Sequence, residues 1–447
     1  MSLRINQLLL ISLYISSCLA KCMDNSLRPL DSLSPSTSLP KCKFDLTESI
    51  PVGLTYKSGP VFNSTFDELT SLIENTKSTL DVAAFYFTLL GRDVMPDPEE
   101  TSVNGELLLQ SIVNATKRGV KTRITVNSDD KLSSSEDLNQ LKAAGAEIRA
   151  VNFTRLLSAG VLHTKFIITD KQNFYIGSAN MDWRSLTQVK ELGITVRDCS
   201  VLAIDLIKIF QVYWTLGEEE AQLPPNWPPG LGTVINAVNP VSIQLRNTES
   251  QVFLSSSPAP FNPEGRTNDI DAILTVINRA DKFINIAVMD YFPIFLYSKR
   301  QQFWPVIDDA LKKAAIERGV QVKVMASKWK HTRSTIYSFL RSLAAIQRLP
   351  SNGTIESKLF IVPSNPEQDK IPFIRVNHNK YMVTDQDALI GTSNWSADYF
   401  TNTAGVSFVS HETGNHSCFR DHSLRESLTQ VFERDWNSEY TVSVGDN

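Results

Sequence analysis

The feature that most constrains the fold is a polar motif that occurs twice. Residues 161–183 read VLHTKFIITDKQNFYIGSANMDW, and residues 376–395 read VNHNKYMVTDQDALIGTSNW. Each carries His-x-Lys-x4-Asp and then, past a short turn, Gly-[Ser/Thr]-x-Asn. The first copy supplies His163, Lys165, Asp170, Gly177, Ser178 and Asn180; the second supplies His378, Lys380, Asp385, Gly391, Thr392 and Asn394. With six histidines in the chain, one His-x-Lys-x4-Asp match is expected by chance only about 0.02 times. Two matches with the same tail imply a duplication. His331, His411, His416 and His422 lack this context and read as exposed polar residues.

The surrounding pattern repeats with the motif. Strand-like segments at 79–89, 120–126 and 147–153 alternate with helical spacing at 105–118 and 137–144 before the first copy. A strand at 193–197 and a helix at 201–216 follow it. The second half answers with strands at 282–290, 320–326 and 358–362 and helices at 303–318 and 334–348. Lys117-Arg118-Gly119-Val120 is matched by Glu317-Arg318-Gly319-Val320. Such alternation predicts an α/β fold. The 447 residues are enough for two cores. Two similar halves are therefore expected at 43–217 and 246–447, each a central sheet flanked by helices, with one active site at their interface. A proline-rich linker at 218–245 separates them.

Residues 1–20 read as a secretory leader: Arg4 precedes an apolar run at 8–15, and Cys18-Leu19-Ala20 forms a small-x-small cleavage site. A loose lead-in at 21–42 follows. Acceptor tripeptides for N-glycosylation occur at Asn63, Asn114, Asn152, Asn352 and Asn415. Asn394 also fits the pattern, but a glycan there would block the motif. Cleavage would leave Cys22, Cys42, Cys199 and Cys418, an even set suited to one or two disulfides. No two cysteines have metal-ligand spacing, so no metal site is expected. A net charge of −4 provides no basic field over the whole molecule, so an anionic substrate needs a local cluster.

The motif can supply that cluster. Side chains two apart on a strand share a face, so His163 points with Lys165 and His378 with Lys380. Asp170 and Asp385 lie an odd number of residues beyond the lysines, which turns them away if the strand continues. Asn180 and Asn394 can donate amide hydrogens to anionic oxygens. Two imidazoles, two ammonium groups and two amides around one centre fit phosphoryl transfer, where positioning and charge stabilisation dominate. Glu191 follows the first motif and is a candidate to orient a histidine, with Thr403 at the corresponding place in the second half. Phe85, Tyr86, Phe87 and Tyr291 end the first strand of each half and are candidates to line the mouth of the site.

The duplicated motif resembles the signature of the phospholipase D superfamily. GVLHTKF, FYIGSANMDWRSLTQVKELG, VNHNKYMVT and IGTSNWS, with ESIPVGL and FWPVIDDALKKAAIERGV, resemble its animal branch called phospholipase D members three and four. The resemblance runs over about residues 42–440 and implies phospholipase D-like halves. Members of that branch are glycoproteins of the lysosome and endoplasmic reticulum lumen. They act as acid 5′-to-3′ exonucleases on single-stranded DNA and RNA, and lipid activities are also ascribed to them.

The resemblance implies a phosphohistidine mechanism with His163 as nucleophile and His378 as proton donor. Lys165, Lys380, Asn180 and Asn394 would hold phosphate oxygens, with Ser178 and Thr392 beside them as substrate-binding residues. Asp170 and Asp385 are counted with the catalytic set as members of the family motif. No metal or other cofactor is required. A Cys42–Cys199 disulfide is implied; the partners of Cys22 and Cys418 stay open, and Lys328 stands where the branch has a cysteine. The branch often has Glu where this chain has Asp385. It usually carries a membrane anchor where this chain has a cleavable-looking leader, so lysosome lumen and secretion are both open. The expected activity is a single-stranded nucleic acid exonuclease, with a phospholipase or phosphatidyltransferase as the alternative and a homodimer as a possible assembly.

Overall fold

Strands that are apolar on both faces need cover on both sides, and that requirement organises the molecule. The computed structural model describes residues 38–444 apart from 129–134, 299, 349–352 and 414–422. The leader at 1–20, most of the lead-in, Cys22, Cys418, Asn352, Asn415, His416 and His422 lie outside the described residues. Phe166, Ile168, Phe174 and Ile176 of the first motif hairpin turn into a core shared with Tyr381, Val383, Ile390 and Phe408 of the other half. The Phe174 and Phe408 ring centroids are 6.4 Å apart. Ile167 and Tyr175 turn the opposite way, into a separate core beneath the helix Val103–Lys117. Met382 and Leu389 do the same in the second half. The helices Ser200–Leu216 and Leu424–Trp436 contribute Leu206, Phe210, Leu428 and Phe432 to the shared core.

The two sheets repeat one another strand for strand. In the first half the order is Glu147–Val151, Lys121–Asn127, Thr79–Ala83, Phe166–Thr169, Asn173–Gly177, Glu191–Arg197, Lys41–Ser49. The first three are parallel, and each later strand is antiparallel to its neighbour. The second half runs Thr354–Phe360, Gln321–Ser327, Phe283–Val288, Lys380–Thr384, Asp387–Gly391, Gly405–Glu412, Thr248–Ser257 in the same senses. Registers agree: Thr79 faces Lys121 as Phe283 faces Gln321. The sheets join where Lys41 and Cys42 pair in parallel with Gln244 and Leu245 of Val241–Leu245.

Local chemistry explains the repeated landmarks. The helix Val306–Arg318 ends on Gly319 at φ 72°, and Gly119 closes the equivalent helix at φ 92°. A left-handed residue lets a helix terminate in a tight turn, which accounts for the repeated Arg-Gly-Val. Ser423 and Glu426 form a reciprocal capping box at the start of Leu424–Trp436.

Several boundaries differ from the expected ones, among them the start of the helix Val306–Arg318 and both ends of the strand Thr354–Phe360. The strand expected at 79–89 leaves its ladder after Ala83, and Phe87 and Thr88 pair instead with Met181 and Asp182. The last five residues of the expected linker are the strand Val241–Leu245, and the lead-in already enters its strand at Lys41. Helices Thr65–Glu74 and Asp269–Arg279, absent from the sequence reading, are short amphipathic turns. The first buries Leu69, Leu72 and Ile73 on one side. Among the described residues no helix is long and apolar enough to cross a membrane.

A buried ion cluster crosses between the halves. Lys190 is fully enclosed, with Nζ 3.3 Å from Glu48 and 2.8 Å from Asp435. Arg434 bonds the same two carboxylates at 2.6 and 2.9 Å. Opposite charges balance, which is the condition for burying them.

Cys42 and Cys199 are bonded, with their Cα atoms 4.9 Å apart. The bridge ties the strand Lys41–Ser49, where the sheets join, to the start of Ser200–Leu216 across 157 residues. Closing a loop that long constrains the unfolded chain, by about 5 kcal/mol in the chain-entropy account. Cys42→Ser with Cys199→Ser should lower the denaturant midpoint accordingly. Reductant should then shift the wild type and leave the double variant where it is.

Candidate active site

The two motif strands enter the interface side by side because each borrows a backbone partner from the other half. His163 N donates to Ala404 O at 3.1 Å, and His378 N donates to Lys190 O at 2.8 Å. The bridges Leu162–Ala404 and Lys190–Asn377 are parallel and equivalent under the duplication. Both imidazoles therefore line one cavity of about 490 Å³, together with Asn180, Asn394, Glu191 and Asp290.

What stands behind each imidazole differs. His163 Nδ1 lies 3.1 Å from Thr392 O. A carbonyl only accepts, so Nδ1 carries the proton and Nε2 keeps its lone pair. His378 Nδ1 lies 2.9 and 3.0 Å from the two oxygens of Glu191, which is fully buried. The residue equivalent to Glu191 is Gly405, not Thr403. Ser178 Oγ bonds Leu192 N as Thr392 Oγ1 bonds Val406 N, and that fixes the register. A side chain at Gly405 would meet Ser393 Oγ at 2.1 Å, so the second half has no room for a matching carboxylate.

Lys165 and Lys380 are buried, and each donates Nζ to the carbonyl of its own motif histidine at 2.6 Å. Burial and the neighbouring Lys380 push the Lys165 ammonium well below its usual pKa. Burial brings Lys380 down to about 7 against the pull of Glu191 and Asp290. His163 is lowered by burial, then by Lys165, Lys380 and His378. His378 is lowered by burial too, with Glu191 opposing. The centre thus gathers two lysines and two histidines around two carboxylates, Glu191 and Asp290, so an arriving anion meets more cation-forming groups than carboxylates. Asn394 Nδ2 bonds Tyr399 Oη at 3.2 Å and lies 3.4 Å from Asp290, while its Oδ1 and that of Asn180 have no protein partner.

Other expected site residues sit elsewhere. Ser178 and Thr392 are not open to substrate; their hydroxyls brace the next strand through Leu192 and Val406. Asp170 and Asp385, expected with the catalytic set, are remote from the cavity, in positions that suit structural carboxylates. Asp170 lies in the hairpin turn at φ 51° and accepts from the backbone of Lys77, Ser78 and Thr79. Asp385 accepts from Asp281, Lys282 and Phe283, the matching positions. Phe85 and Tyr86 line the cavity, but Phe87 and Tyr291 are core residues, with Tyr291 Oη on Asp308 at 2.8 Å. The motif glycine Gly177 is required by close approach: a Cβ would meet Tyr175 Oη at 2.3 Å and Gly193 Cα at 2.7 Å. Asn394 is 3 % exposed, which leaves no access for a glycan, whereas Asn63 and Asn114 are exposed.

Sequence reasoning missed Asp290, Tyr297, Trp329, Phe373 and Tyr399, which line the same cavity from four separate segments. Asp290 follows its strand at the position Tyr86 holds in the first half, a signal available only once the registers are aligned. Burial raises its carboxyl to about 6, against Lys380 and Arg333.

Two sheets that place paired His-x-Lys strands around one anion-receiving centre define a phospholipase D-like enzyme. The sequence pattern described as PLD3/4, PLD-like domain matches residues 57–365. A Xenopus laevis protein named 5′-3′ exonuclease PLD3 is 48% identical over 404 residues, covering 90% of this chain and 81% of its own. The Homo sapiens protein of that name is 43% identical over 408 residues, covering 91% and 82%. A Caenorhabditis elegans protein named as a probable phospholipase D is 43% identical over 411 residues, covering 90% and 71%. The chain belongs to the PLD3/4 family of phospholipase D-like phosphodiesterases. Among solved structures, the phosphatidylserine synthase of Haemophilus influenzae shares the fold with a TM-score of 0.54 at 13% identity, over 85% of each chain.

Removing the turn carboxylate should cost stability, not chemistry. Asp170→Ala leaves three backbone N–H groups without their acceptor, a loss on the order of 1–3 kcal/mol. Melting temperature should fall, while turnover of a small chromogenic phosphodiester, measured well below the melting point, should change less than about threefold. A loss of turnover as large as that of a motif histidine variant would return Asp170 to the catalytic set.

Proposed function

We propose that the protein is a 5′-to-3′ exonuclease of single-stranded nucleic acid, working through a phosphohistidine on His163. The observation that carries the roles is the asymmetry behind the two rings. Backed by a carbonyl, pushed down by burial and faced by cations, His163 is neutral and nucleophilic at Nε2. With the Glu191 carboxylate on Nδ1, His378 is suited to hold and pass a proton at Nε2. His163 Nε2 bonds to phosphorus as the bond to the leaving oxygen breaks, and that oxygen takes the His378 proton. Water then attacks phosphorus, giving its proton to His378, and the phosphorus–nitrogen bond breaks. Lys165, Lys380, Asn180 and Asn394 offset the charge on the non-bridging oxygens.

The working unit is the pair of halves at 43–217 and 246–447, since each supplies one histidine, one lysine and one asparagine. Support for the substrate comes from the relatives named 5′-3′ exonucleases and from aromatic side chains in the cavity wall, the surface that single strands use. A secretory route, ending in the lysosome lumen or outside the cell, accords with the Cys42–Cys199 bridge. A homodimer is compatible with this reading and adds nothing to the chemistry.

A substrate with p-nitrophenolate as leaving group separates the two histidines, because that group departs without a proton. His378→Ala should release a burst of nitrophenol, accumulate trapped phosphohistidine and then stall. His163→Ala should give no burst. On an oligonucleotide, where the leaving alkoxide needs the proton, His378→Ala should lose roughly 10²–10⁴-fold. A burst from His163→Ala would reverse the roles. Activity on phosphatidylcholine vesicles and none on 5′-hydroxyl oligonucleotides would replace the nuclease reading with the lipid one.

The pH profile follows from the same groups. His378 must be protonated for the first step, and Glu191 raises its pKa. Glu191→Gln should therefore move the alkaline limb of kcat/KM to lower pH. In the wild type that limb is steepened above about 7, where Lys380 loses its charge. An unmoved limb in Glu191→Gln would show that His378 is not the acid.

A further inference from the structure

Beside the catalytic cavity lies a groove of about 640 Å³, and the two share Trp329 and Phe373 as a common wall. Its chemistry is unlike that of the rest of this weakly acidic protein. Lys328, Lys330, Lys370 and Arg375 line it, with Asp369 as the one carboxylate among its lining residues. Lys370 is paired with Glu367 at 2.6 Å. Among the described residues Lys330 has no side-chain partner and is exposed. Arg375 is 6 % exposed, and its guanidinium donates to carbonyls of Val52 and Pro363 and to the Gln188 amide oxygen, with Asp369 as a charged neighbour but no carboxylate in hydrogen-bond contact among the described residues. A buried cation whose hydrogen bonds go to neutral oxygens keeps most of its charge uncompensated and favours an anion nearby.

The aromatic residues add a second feature. The His331 ring stacks on Phe373 with centroids 5.0 Å apart and meets Trp329 edge-on at 4.7 Å. Phe373 is 61 % exposed and sits at φ 60°. A left-handed backbone under a bulky side chain costs energy, and an exposed ring brings no burial to offset it. Such a residue is retained for what it contacts. Aromatic faces beside unneutralised cations are the two components of a single-strand binding surface.

Chain connectivity gives the groove a direction. Phe373, Arg375, Val376 and His378 lie on one short segment, so the groove opens on the His378 side of the cavity. Attacking and leaving atoms lie in line across phosphorus, so the leaving oxygen departs towards His378. We propose that this groove is the subsite for the departing strand. The nucleotides 3′ of the scissile bond stack on Phe373 and His331, and their phosphates lie against Lys330 and Arg375. The inference rests on the exonuclease reading and adds to it the path of the polymer, and it predicts that short substrates are poor ones.

The test is a length series of 5′-hydroxyl oligothymidylates of two, three, four and six nucleotides. Product release is followed for the full chain and for two variants, Phe373→Ala with His331→Ala, and Lys330→Glu. For the wild type, kcat/KM should rise with length, roughly tenfold for each base that gains a stacking partner. The aromatic double variant should flatten that rise. Lys330→Glu should reduce it and also weaken its dependence on salt, as loss of a phosphate contact requires. A full rise in both variants, or an equal loss at every length, would overturn the subsite while leaving the exonuclease reading intact. If, in a parallel assay on phosphatidylcholine vesicles, the variants lost only phospholipid hydrolysis, the groove would belong to lipid and the subsite would be overturned as well. A wild type that cleaves no oligonucleotide would overturn the exonuclease reading and this inference with it.

Discussion

The molecule depends on a pair of backbone hydrogen bonds that no side chain makes. His163 N reaches Ala404 O, and His378 N reaches Lys190 O, so each motif strand is completed by a residue of the opposite half. Without that exchange the two histidines would belong to separate domains, free to drift by the ångström or two that ruins an in-line displacement. The surrounding structure reads as support for it. Lys190, whose carbonyl accepts one of the bonds, is held by Glu48 from the first half and Asp435 from the second. Arg434 clamps the same carboxylates from the far side. The shared aromatic core does the rest, since neither sheet can open without exposing the inner faces of both.

Duplication produced two equal frames, and divergence made their chemistry unequal. Both motifs keep the lysine bonded to its histidine carbonyl, the hydroxyl bracing the next strand and the aspartate gathering three amides. The difference behind the two rings is at one pair of positions, Glu191 and Gly405. Each lies fourteen residues past its motif glycine. Where one half supplies a carboxylate, the other packs Ser393 so closely that a side chain will not fit. A two-step reaction at a single phosphorus needs one base that attacks and one that trades protons. A symmetric site would have to make that distinction with the substrate alone.

Much of this was legible in the chain. Motif, halves and strand–helix order follow from periodicity and repetition, because those are local properties. Parity along a strand already turned Asp170 and Asp385 away from the centre, and the hairpin turns are where they lie. Membership of the family signature had kept them with the catalytic residues, and geometry favours the parity argument. Glu191 was visible as a candidate, but its counterpart was misaligned by two residues; the equal spacing of fourteen from each motif glycine identifies Gly405, and the cross-strand hydrogen bonds confirm that register. Asp290, Trp329, Phe373 and Tyr399 carry no local signature. They meet at the cavity only because four separate segments of the chain converge there, and convergence is a property of topology. Phe87 and Tyr291 show the converse: aromatic residues at strand ends look alike in sequence whether they face a cavity or a core.

The crowded cations have a thermodynamic consequence. Burial first, and for Lys165 and the two histidines the neighbouring cations, depress the pKa values of this centre, so without substrate it is incompletely protonated near neutrality. An arriving phosphate supplies the missing negative charge, so the protein takes up protons from the buffer as it binds. By linkage, acidification and anion binding then reinforce one another. Over the range where one such proton is acquired, affinity for any phosphate rises by up to about tenfold per pH unit on acidification. The same coupling acts on the released product, which acid holds as firmly as it holds the substrate. In a compartment that acidifies, the site becomes a stronger anion receptor without any change of shape.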